Sequence, residues 1–168
     1  NEPPVFVSNA KTGAIQDVAY SYSIVVDDPD AGDAVVLTAD VLPGWLSFTD
    51  NGNGTGTISG TPANTDLGDN QVRILAEDLS GVVVAQEFTI SVDNANDAPS
   101  FTSVPVTTAT EDIGYLYSIT ATDPDPGDVL DIRGLTVPSW LTLTDNGDGT
   151  ASLSGTPLNG NVGISDVV

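Results

Sequence analysis

The chain contains 168 residues, which is enough for one large domain or for two modest domains with separate cores. Only three Lys and Arg residues stand against 24 Asp and Glu residues, and the formal net charge of −21 at pH 7 excludes nucleic acid and anionic membrane surfaces as electrostatic partners. Cys and His are both absent, which excludes disulfides, thiol nucleophiles, imidazole bases and the usual zinc ligands.

The sequence repeats itself without a gap. Residues 1–73 align with residues 96–168, and 32 of these 73 positions are identical. The shared positions include an Asp-Pro-Asp run, a Trp-Leu pair and a Ser-Gly-Thr-Pro run. The repeat predicts two tandem domains, a complete copy at 1–95 and a second copy at 96–168 that lacks its last strands.

Seven short β-rich runs, separated by Gly, Pro, Asn and Asp clusters, are predicted as strands in the first copy. In the second run Tyr20, Tyr22 and Ile24 share one face, as expected of a strand with one buried side. The pattern predicts an all-β fold of tandem antiparallel β-sandwiches, the second one truncated. The predicted strands are Val5–Asn9, Val18–Val26, Val35–Val41, Leu46–Thr49, Gly56–Ser59, Gln71–Ala76 and Val83–Val92.

The incomplete second copy predicts an association. Its last residue, Val168, aligns with Arg73, so the counterpart of residues 74–92 is missing. A sandwich without those strands exposes apolar surface and unpaired backbone edges. We therefore expect strand-completing homo-association with another copy of the chain.

Two glycine-rich loops, 50–55 and 145–150, superficially look like calcium loops. An EF-hand loop requires an oxygen ligand at its third position, where both loops have Gly. Asn-Gly supplies the positive φ that tight hairpins need, so both loops are predicted as hairpin turns.

Acidic residues collect at the two ends of the predicted sandwich, because successive strands run in opposite directions. A crowded set of carboxylates needs cations, and calcium accepts six to eight oxygen ligands. The alternative is a solvated acidic surface of turn-forming Asp residues. The N-terminal end of the first copy collects Asn1, Glu2, Asp27, Asp28, Asp30, Asp33, Glu77 and Asp78, and its C-terminal end collects Gln16, Asp17, Asp66, Asp69 and residues 93–97.

Three stretches resemble the cadherin-like repeats of bacterial surface proteins, in particular the dystroglycan-type group: residues 94–99, 121–128 and 76–81. The resemblance implies Ig-like or cadherin-like sandwiches that bind calcium between modules. Two positions depart from the cadherin pattern. Asn94 stands where an Asp is usual, with Asp93 one step earlier, and Gln16 stands where a Glu is usual.

Carried over by position, the resemblance implies two groups of calcium ligands. The group between the copies comprises Asp17, Asp93, Asn94, Asn96, Asp97, Asp123 and Asp125. The group at the N-terminal end of the first copy comprises Glu2, Asp28, Asp30 and Asp78.

The leading hypothesis is a non-enzymatic, calcium-binding spacer or adhesion segment of a bacterial surface or secreted protein. Its expected partners are calcium ions, other copies of the module and cell-surface polysaccharide, without membrane insertion because no apolar stretch approaches the roughly 20 residues of a span. The alternative is a carbohydrate-binding accessory module of a polysaccharide-degrading enzyme. Sugar binding needs exposed aromatic rings, whereas Trp45 and Trp140 are predicted to be core residues. Catalysis by paired carboxylates is disfavoured because the acids are duplicated in both copies.

Overall fold

The computed structural model describes residues 1–30, 32 and 34–168. The chain divides into two compact units, unit 1 (Asn1–Ala95) and unit 2 (Asn96–Val168). Apart from two 3-10 turns, the regular structure of the described residues is entirely β, so the predicted fold class is confirmed. No helix in this described part of the chain is long and apolar enough to cross a membrane.

The described residues of unit 1 form eight strands: β1 (Val5–Phe6), β2 (Gly13–Ile15), β3 (Tyr20–Asp27), β4 (Val36–Val41), β5 (Leu46–Asp50), β6 (Thr55–Gly60), β7 (Gly68–Glu77) and β8 (Val83–Asp93). They form two four-stranded sheets with the orders β1-β3-β6-β5 and β2-β8-β7-β4. Every pair is antiparallel except β2 with β8, which is parallel. Side chains from both sheets fill one hydrophobic core between them.

Strand β3 shows how the sequence builds this core. Its residues alternate between buried and exposed along the whole strand, as the predicted pattern requires. The buried set includes Tyr20, Tyr22 and Ile24, and it faces Ile74 and Ile90 of the opposite sheet. Burying an aliphatic side chain of this size contributes about 1.5–3 kcal/mol.

The seven predicted strands omitted β2, which is only three residues long. Its partner is the end of β8, where Gly13 pairs with Ser91 and Ile15 with Asp93. The prediction also began the following strand at Val18, which instead closes a turn by donating its backbone N–H to Ile15 O at 3.1 Å. The turn after β2 therefore lies beside the end of β8.

The repeated Ser-Gly-Thr-Pro run has a steric explanation. A Cβ on Gly60 would lie 2.0 Å from the backbone oxygen of Trp45, and a Cβ on Gly155 would lie 1.9 Å from that of Trp140. Real Cβ atoms do not approach oxygen so closely. Glycine is therefore required where β6 and its counterpart in unit 2 pass the Trp-Leu pair.

Unit 2 contains four strands: β9 (Ser100–Phe101), β10 (Tyr115–Thr122), β11 (Leu141–Asp145) and β12 (Thr150–Gly155). They form one sheet with the order β11-β12-β10-β9, the counterpart of the sheet β5-β6-β3-β1 of unit 1. Among the described residues of unit 2 there is no second sheet, and residues 131–136, which align with β4, form no strand. A cleft of about 970 Å³ lies over the sheet and is lined by residues that include Tyr117, Ile119 and Trp140.

Candidate metal centre

Three carboxylates of unit 2 converge in the turn that follows β10. One side-chain oxygen from each of Asp123, Asp125 and Asp128 lies within 4.8 Å of the others. Asp125 is only 4% exposed, whereas Asp128 is open to solvent. The Asp-Pro-Asp-Pro-Gly-Asp turn thus holds one buried carboxylate beside two more accessible ones.

Backbone N–H groups fix the orientation of these carboxylates. Asp97 N donates to Asp125 Oδ2 at 2.6 Å, and Asp125 N donates to Asp123 Oδ1 at 2.9 Å. The other oxygen of the buried side chain, Asp125 Oδ1, has no hydrogen-bond partner among the described residues. Buried polar atoms are almost always paired, so this oxygen is the part of the turn that a bound cation would satisfy. We call Asn96, Asp97, Asp123, Asp125 and Asp128 the unit 2 cluster.

Unit 1 repeats the arrangement 95 positions earlier, as the alignment of residues 1–73 with 96–168 requires. Glu2 N donates to Asp30 Oδ2 at 2.6 Å, and Asp30 N donates to Asp28 Oδ1 at 2.9 Å. Here it is Asp28 Oδ2 that is buried without a hydrogen-bond partner in the described structure. Asp33, the counterpart of Asp128, lies outside the described residues. We call Asn1, Glu2, Asp28, Asp30 and Asp78 the unit 1 cluster.

Asp78 joins the unit 1 cluster through Asn1. Its Oδ2 accepts a hydrogen bond from Asn1 Nδ2 at 2.9 Å, and its Oδ1 accepts from the backbone N–H groups of Ser80 and Val82 at 2.8 Å each. The bond from Asn1, followed by those from the backbone, lowers the pKa of the Asp78 carboxyl below its usual value. Ser80 Oγ donates to Asn1 Oδ1 at 2.7 Å. The sequence predicted Asp78 here but not Ser80, because a serine in a turn carries no distinctive signal.

The C-terminal end of unit 1 is organised by Gln16. The residue is 2% exposed. Its backbone N–H donates to Asp93 O at 2.9 Å, and its side-chain Nε2 donates to Asp17 Oδ2 at 3.3 Å. Its Oε1 accepts the N–H of Ala95 at 3.5 Å. The glutamine that stands where cadherins usually have a Glu therefore connects β2 to the segment after β8.

Asp17 has a positive φ of 59°, an angle that Asp tolerates better than most residues, and its N–H donates to Pro62 O at 2.9 Å. Asp112, its counterpart in unit 2, has the same φ and donates to Pro157 O. Asp17, Asp93 and Asn94 all belong to unit 1, whereas Asn96 and Asp97 belong to unit 2. The expected roles of Asp17, Asp93 and Asn94 as calcium ligands stay predictions.

The glycine-rich loops are hairpin turns between antiparallel strands, as predicted. The Asp50 carboxylate is used structurally, since Oδ1 accepts Gly52 N at 2.9 Å and Oδ2 accepts Leu37 N at 3.2 Å. The aromatic ring pairs of the described residues are not stacked. All three recorded pairs meet edge to face, including Tyr115 with Trp140 at an angle of 78°.

The donor set of both clusters fits a hard cation. The ligands on offer are carboxylate, amide and backbone oxygens, and the chain contains neither of the two residue types that zinc prefers. Each cluster also contains one buried carboxylate oxygen without a partner in the described residues. The residues therefore fit calcium chemically.

Comparison with known proteins gives the same architecture. The family model He_PIG, described as "Putative Ig domain", matches residues 3–93. No curated protein sequence matches the chain. The extracellular cadherin domains 1–5 of protocadherin gamma B2 superpose with a TM-score of 0.62 at 18% identity, over 92% of this chain and 32% of that one.

Two further structures are similar. Cadherin domains 1–4 of protocadherin gamma B7 give a TM-score of 0.59 at 15% identity, over 93% of this chain and 41% of that one. The endo-fucoidan hydrolase MfFcnA4 of glycoside hydrolase family 107 gives 0.49 at 27% identity, over 96% of this chain and 25% of that one. The protocadherin likenesses show the fold, and the hydrolase likeness is too distant to bear on function. The chain thus spans between 25% and 41% of the length of each of these three structures.

Proposed function

The chain belongs to the He_PIG family of Ig domains, and from that premise and its acidic clusters we propose that it is a non-enzymatic, calcium-binding extracellular module. Each unit would bind calcium through the acidic turn after its long first-sheet strand, β3 or β10. The cation would hold the first residues of each unit against that turn. The chain would then act as a stiffened spacer or adhesion segment.

The observation that supports this proposal is the buried, partnerless carboxylate oxygen in each cluster. The Asp125 carboxylate lies beside those of Asp123 and Asp128, and its Oδ1 has no hydrogen-bond donor in the described residues. An ionised carboxylate in that position is destabilising unless a proton or a cation neutralises it. In unit 1 the hydrogen bond from Asn1 lowers the pKa of the neighbouring Asp78 carboxyl and so favours the ionised form of that proposed ligand.

The chain's own residues divide the work in the unit 2 cluster. Asp125 would supply the buried anionic oxygen, while Asp123 and Asp128 would close the site from the solvent side. The N–H of Asp97 orients Asp125 through Oδ2 and leaves Oδ1 for the cation. Calcium accepts such an irregular oxygen shell, whereas magnesium demands a near-octahedral one and keeps its waters.

Thermal unfolding of the full chain in calcium and in chelator tests the proposal. A ligand that binds only the folded state stabilises it by mass action, by about 2.7 kcal/mol at 100 times its dissociation constant. We expect the midpoint to rise in calcium, to rise less in magnesium at the same concentration, and to return when chelator is added. An unchanged midpoint in calcium would remove the proposal.

The proposed setting is the exterior of a bacterium, on a surface or secreted protein, and the finer assignment to the dystroglycan-type group belongs to this proposal. The acidic composition and the absence of Cys are compatible with that setting. Stiffening predicts that calcium narrows the distribution of distances in small-angle scattering of the whole chain.

The carbohydrate-binding alternative receives no support from the aromatic residues. Tyr20 and Tyr22 are buried in the core of unit 1, and Trp45 Nε1 is used in a hydrogen bond to Asn70 Oδ1 at 3.0 Å. Affinity electrophoresis in gels that contain polysaccharide would distinguish the two functions. If the chain is a calcium-binding spacer, we expect polysaccharide to cause no retardation of the chain in the presence of chelator.

A further inference from the structure

Two Asn-Gly pairs stand side by side in the hairpin between β5 and β6, Asn51-Gly52 and Asn53-Gly54. In such a pair the backbone nitrogen of the glycine can attack the side-chain carbonyl carbon of the asparagine, because glycine has no Cβ to obstruct the approach. The folded structure treats the two pairs differently. The difference lies in which atoms are already hydrogen bonded.

Asn51 is held in a form that resists this reaction. Its Nδ2, the nitrogen that would have to leave, donates to Thr55 Oγ1 at 2.9 Å. The attacking nitrogen, Gly52 N, donates to Asp50 Oδ1 at 2.9 Å. Asn146 in unit 2 is held by the equivalent two bonds, from Asn146 Nδ2 to a threonine hydroxyl at 2.8 Å and from the following glycine to an aspartate at 3.1 Å. In both pairs nucleophile and leaving group are restrained.

Asn53 is arranged in the opposite way. Its side-chain oxygen Oδ1 accepts two hydrogen bonds from Thr55, one from the backbone N–H at 3.2 Å and one from the hydroxyl at 2.6 Å. Within the described residues, neither Asn53 Nδ2 nor Gly54 N makes a hydrogen bond. Two donors on the carbonyl oxygen stabilise the negative charge that develops there when its carbon is attacked, as in an oxyanion hole.

We propose that Asn53 is a site of spontaneous deamidation in the folded protein. Hydroxide removes the proton of Gly54 N, and that nitrogen forms a bond to the side-chain carbonyl carbon of Asn53. The bond from this carbon to Nδ2 then breaks, and the nitrogen leaves as ammonia after taking a proton from water. Water opens the resulting five-membered imide at either carbonyl, which gives aspartate or isoaspartate at position 53.

The second copy shows that an aspartate fits this position. Asp148 occupies the equivalent place, and its Oδ1 accepts hydrogen bonds from Thr150 N at 3.0 Å and from Thr150 Oγ1 at 2.5 Å. The hydrogen bond from the Thr150 hydroxyl has the larger effect, and together with the bond from the Thr150 backbone N–H it lowers the pKa of the Asp148 carboxyl. An ionised carboxylate is a poor electrophile, so the aspartate product is stable against a second ring closure. Isoaspartate would instead lengthen the backbone of the hairpin by one carbon.

The reaction would change the charge beside the unit 1 cluster. Gly54 O accepts the N–H of Val26 at 2.8 Å, and Val26 lies two residues before Asp28 along the chain. Deamidation replaces a neutral amide by a carboxylate next to this strand end. The hairpin of unit 1 would thereby acquire the charge that the hairpin of unit 2 carries from the start.

Peptide mapping by mass spectrometry of the folded chain, incubated at mildly alkaline pH, tests the proposal. We expect Asn53 to deamidate faster than Asn51 and Asn146. In urea, where the structure is lost, we expect the three rates to converge. Equal rates in the folded chain, or a lead of Asn53 that persists in urea, would overturn the proposal.

Two variants of Thr55 and one of Asp148 sharpen the test. Thr55→Val removes one donor from Asn53 Oδ1 and the acceptor of Asn51, so the rate at Asn53 should fall roughly fivefold while that at Asn51 rises. Thr55→Ser keeps the hydroxyl and should leave the order unchanged. Asp148→Asn places the same chemistry in unit 2, and the new amide should be lost as fast as that of Asn53. An unaffected Asn53 in Thr55→Val, or no deamidation at position 148 in a folded Asp148→Asn variant, would contradict the mechanism.

Discussion

The backbone nitrogen of Asp97 lies 2.6 Å from Oδ2 of Asp125, and this bond ties the first residues of unit 2 to the acidic turn after β10. Glu2 and Asp30 make the same bond at the same distance in unit 1. In unit 2 the bond from Asp97 leaves Asp125 Oδ1 buried without a partner, whereas in unit 1 the bond from Asp30 N to Asp28 Oδ1 leaves Asp28 Oδ2 in that state. Calcium binding is therefore expected to depend on one carboxylate per unit more than on the total acidity.

Replacing Asp125 by Asn separates cation binding from folding. The neutral side chain can still accept the Asp97 N–H, and it removes the buried charge that is uncompensated without calcium. We expect the midpoint of unit 2 in chelator to stay the same or to rise. The increase in calcium, about 10 °C or more at 100 times the dissociation constant, should disappear.

Asp28→Asn is the matched control for this experiment, because Asp28 carries the partnerless buried oxygen of unit 1. It should abolish the calcium response of unit 1 and leave that of unit 2 unchanged, since each cluster belongs to its own unit. The measurement is differential scanning calorimetry of each variant in calcium and in chelator. A full calcium response in Asp125→Asn would show that the cation does not use this carboxylate.

The lowered pKa of Asp78 predicts the acid sensitivity of unit 1. A carboxyl whose pKa is lower in the folded than in the unfolded state contributes stability that is present above its unfolded pKa, near 3.8, and is lost as pH falls through the folded value. Urea unfolding at a series of pH values should show stability declining below about pH 4. Asp78→Asn should lower stability near neutral pH and flatten this decline, whereas an equally steep decline in the variant would assign it to other carboxyls.

The architecture of unit 1 could be predicted because its long strands alternate cleanly, as Tyr20, Tyr22 and Ile24 do in β3. Strand β2 could not be predicted, because three residues are too few to show a periodic pattern. Its parallel pairing with β8 also joins segments that are far apart in sequence. For the same reason the central position of Gln16 was not foreseen. The burial of a glutamine cannot be read from its residue type, and here it follows from the pairing of β2 with β8.

The acidic turns were predictable at the level of residues but not of atoms. Asp28 and Asp30, with their counterparts Asp123 and Asp125, follow directly on strands that alternation identifies. The N–H donors that orient them come from the backbone, which has the same chemistry at every residue. Sequence therefore could place these carboxylates in one turn but not show which of their oxygens is left without a hydrogen-bond partner.

Unit 2 should unfold before unit 1. Its buried hydrophobic cluster is much smaller, and Trp140 Nε1 is buried without a hydrogen-bond partner in the described structure, whereas Trp45 Nε1 donates to Asn70. An unsatisfied buried donor alone costs about 1–3 kcal/mol. The buried clusters comprise Ile119, Ile132, Leu141, Ala151 and Leu153 in unit 2, against fourteen of the described residues in unit 1.

Tryptophan fluorescence measures this order directly, because each unit has one tryptophan. Trp45→Phe leaves Trp140 to report on unit 2, and Trp140→Phe leaves Trp45 to report on unit 1. In urea, we expect the signal of Trp140 to change at a lower concentration than that of Trp45. A single shared midpoint would mean that the two units unfold together.

The repeated glycine beside each tryptophan should be the most sensitive glycine in its strand. Gly60→Ala would place a methyl group 2.0 Å from Trp45 O, and this oxygen belongs to backbone that β5 and β6 hold in register. Overpacking of this kind typically costs about 1–3 kcal/mol, occasionally more.

Gly13→Ala is the matched control, because no atom lies within 4 Å of its added Cβ and its φ is not positive. In urea unfolding followed by circular dichroism, we expect a large loss of stability for Gly60→Ala and a change within about 0.5 kcal/mol for Gly13→Ala. Equal effects of the two substitutions would refute the steric explanation of the Ser-Gly-Thr-Pro run.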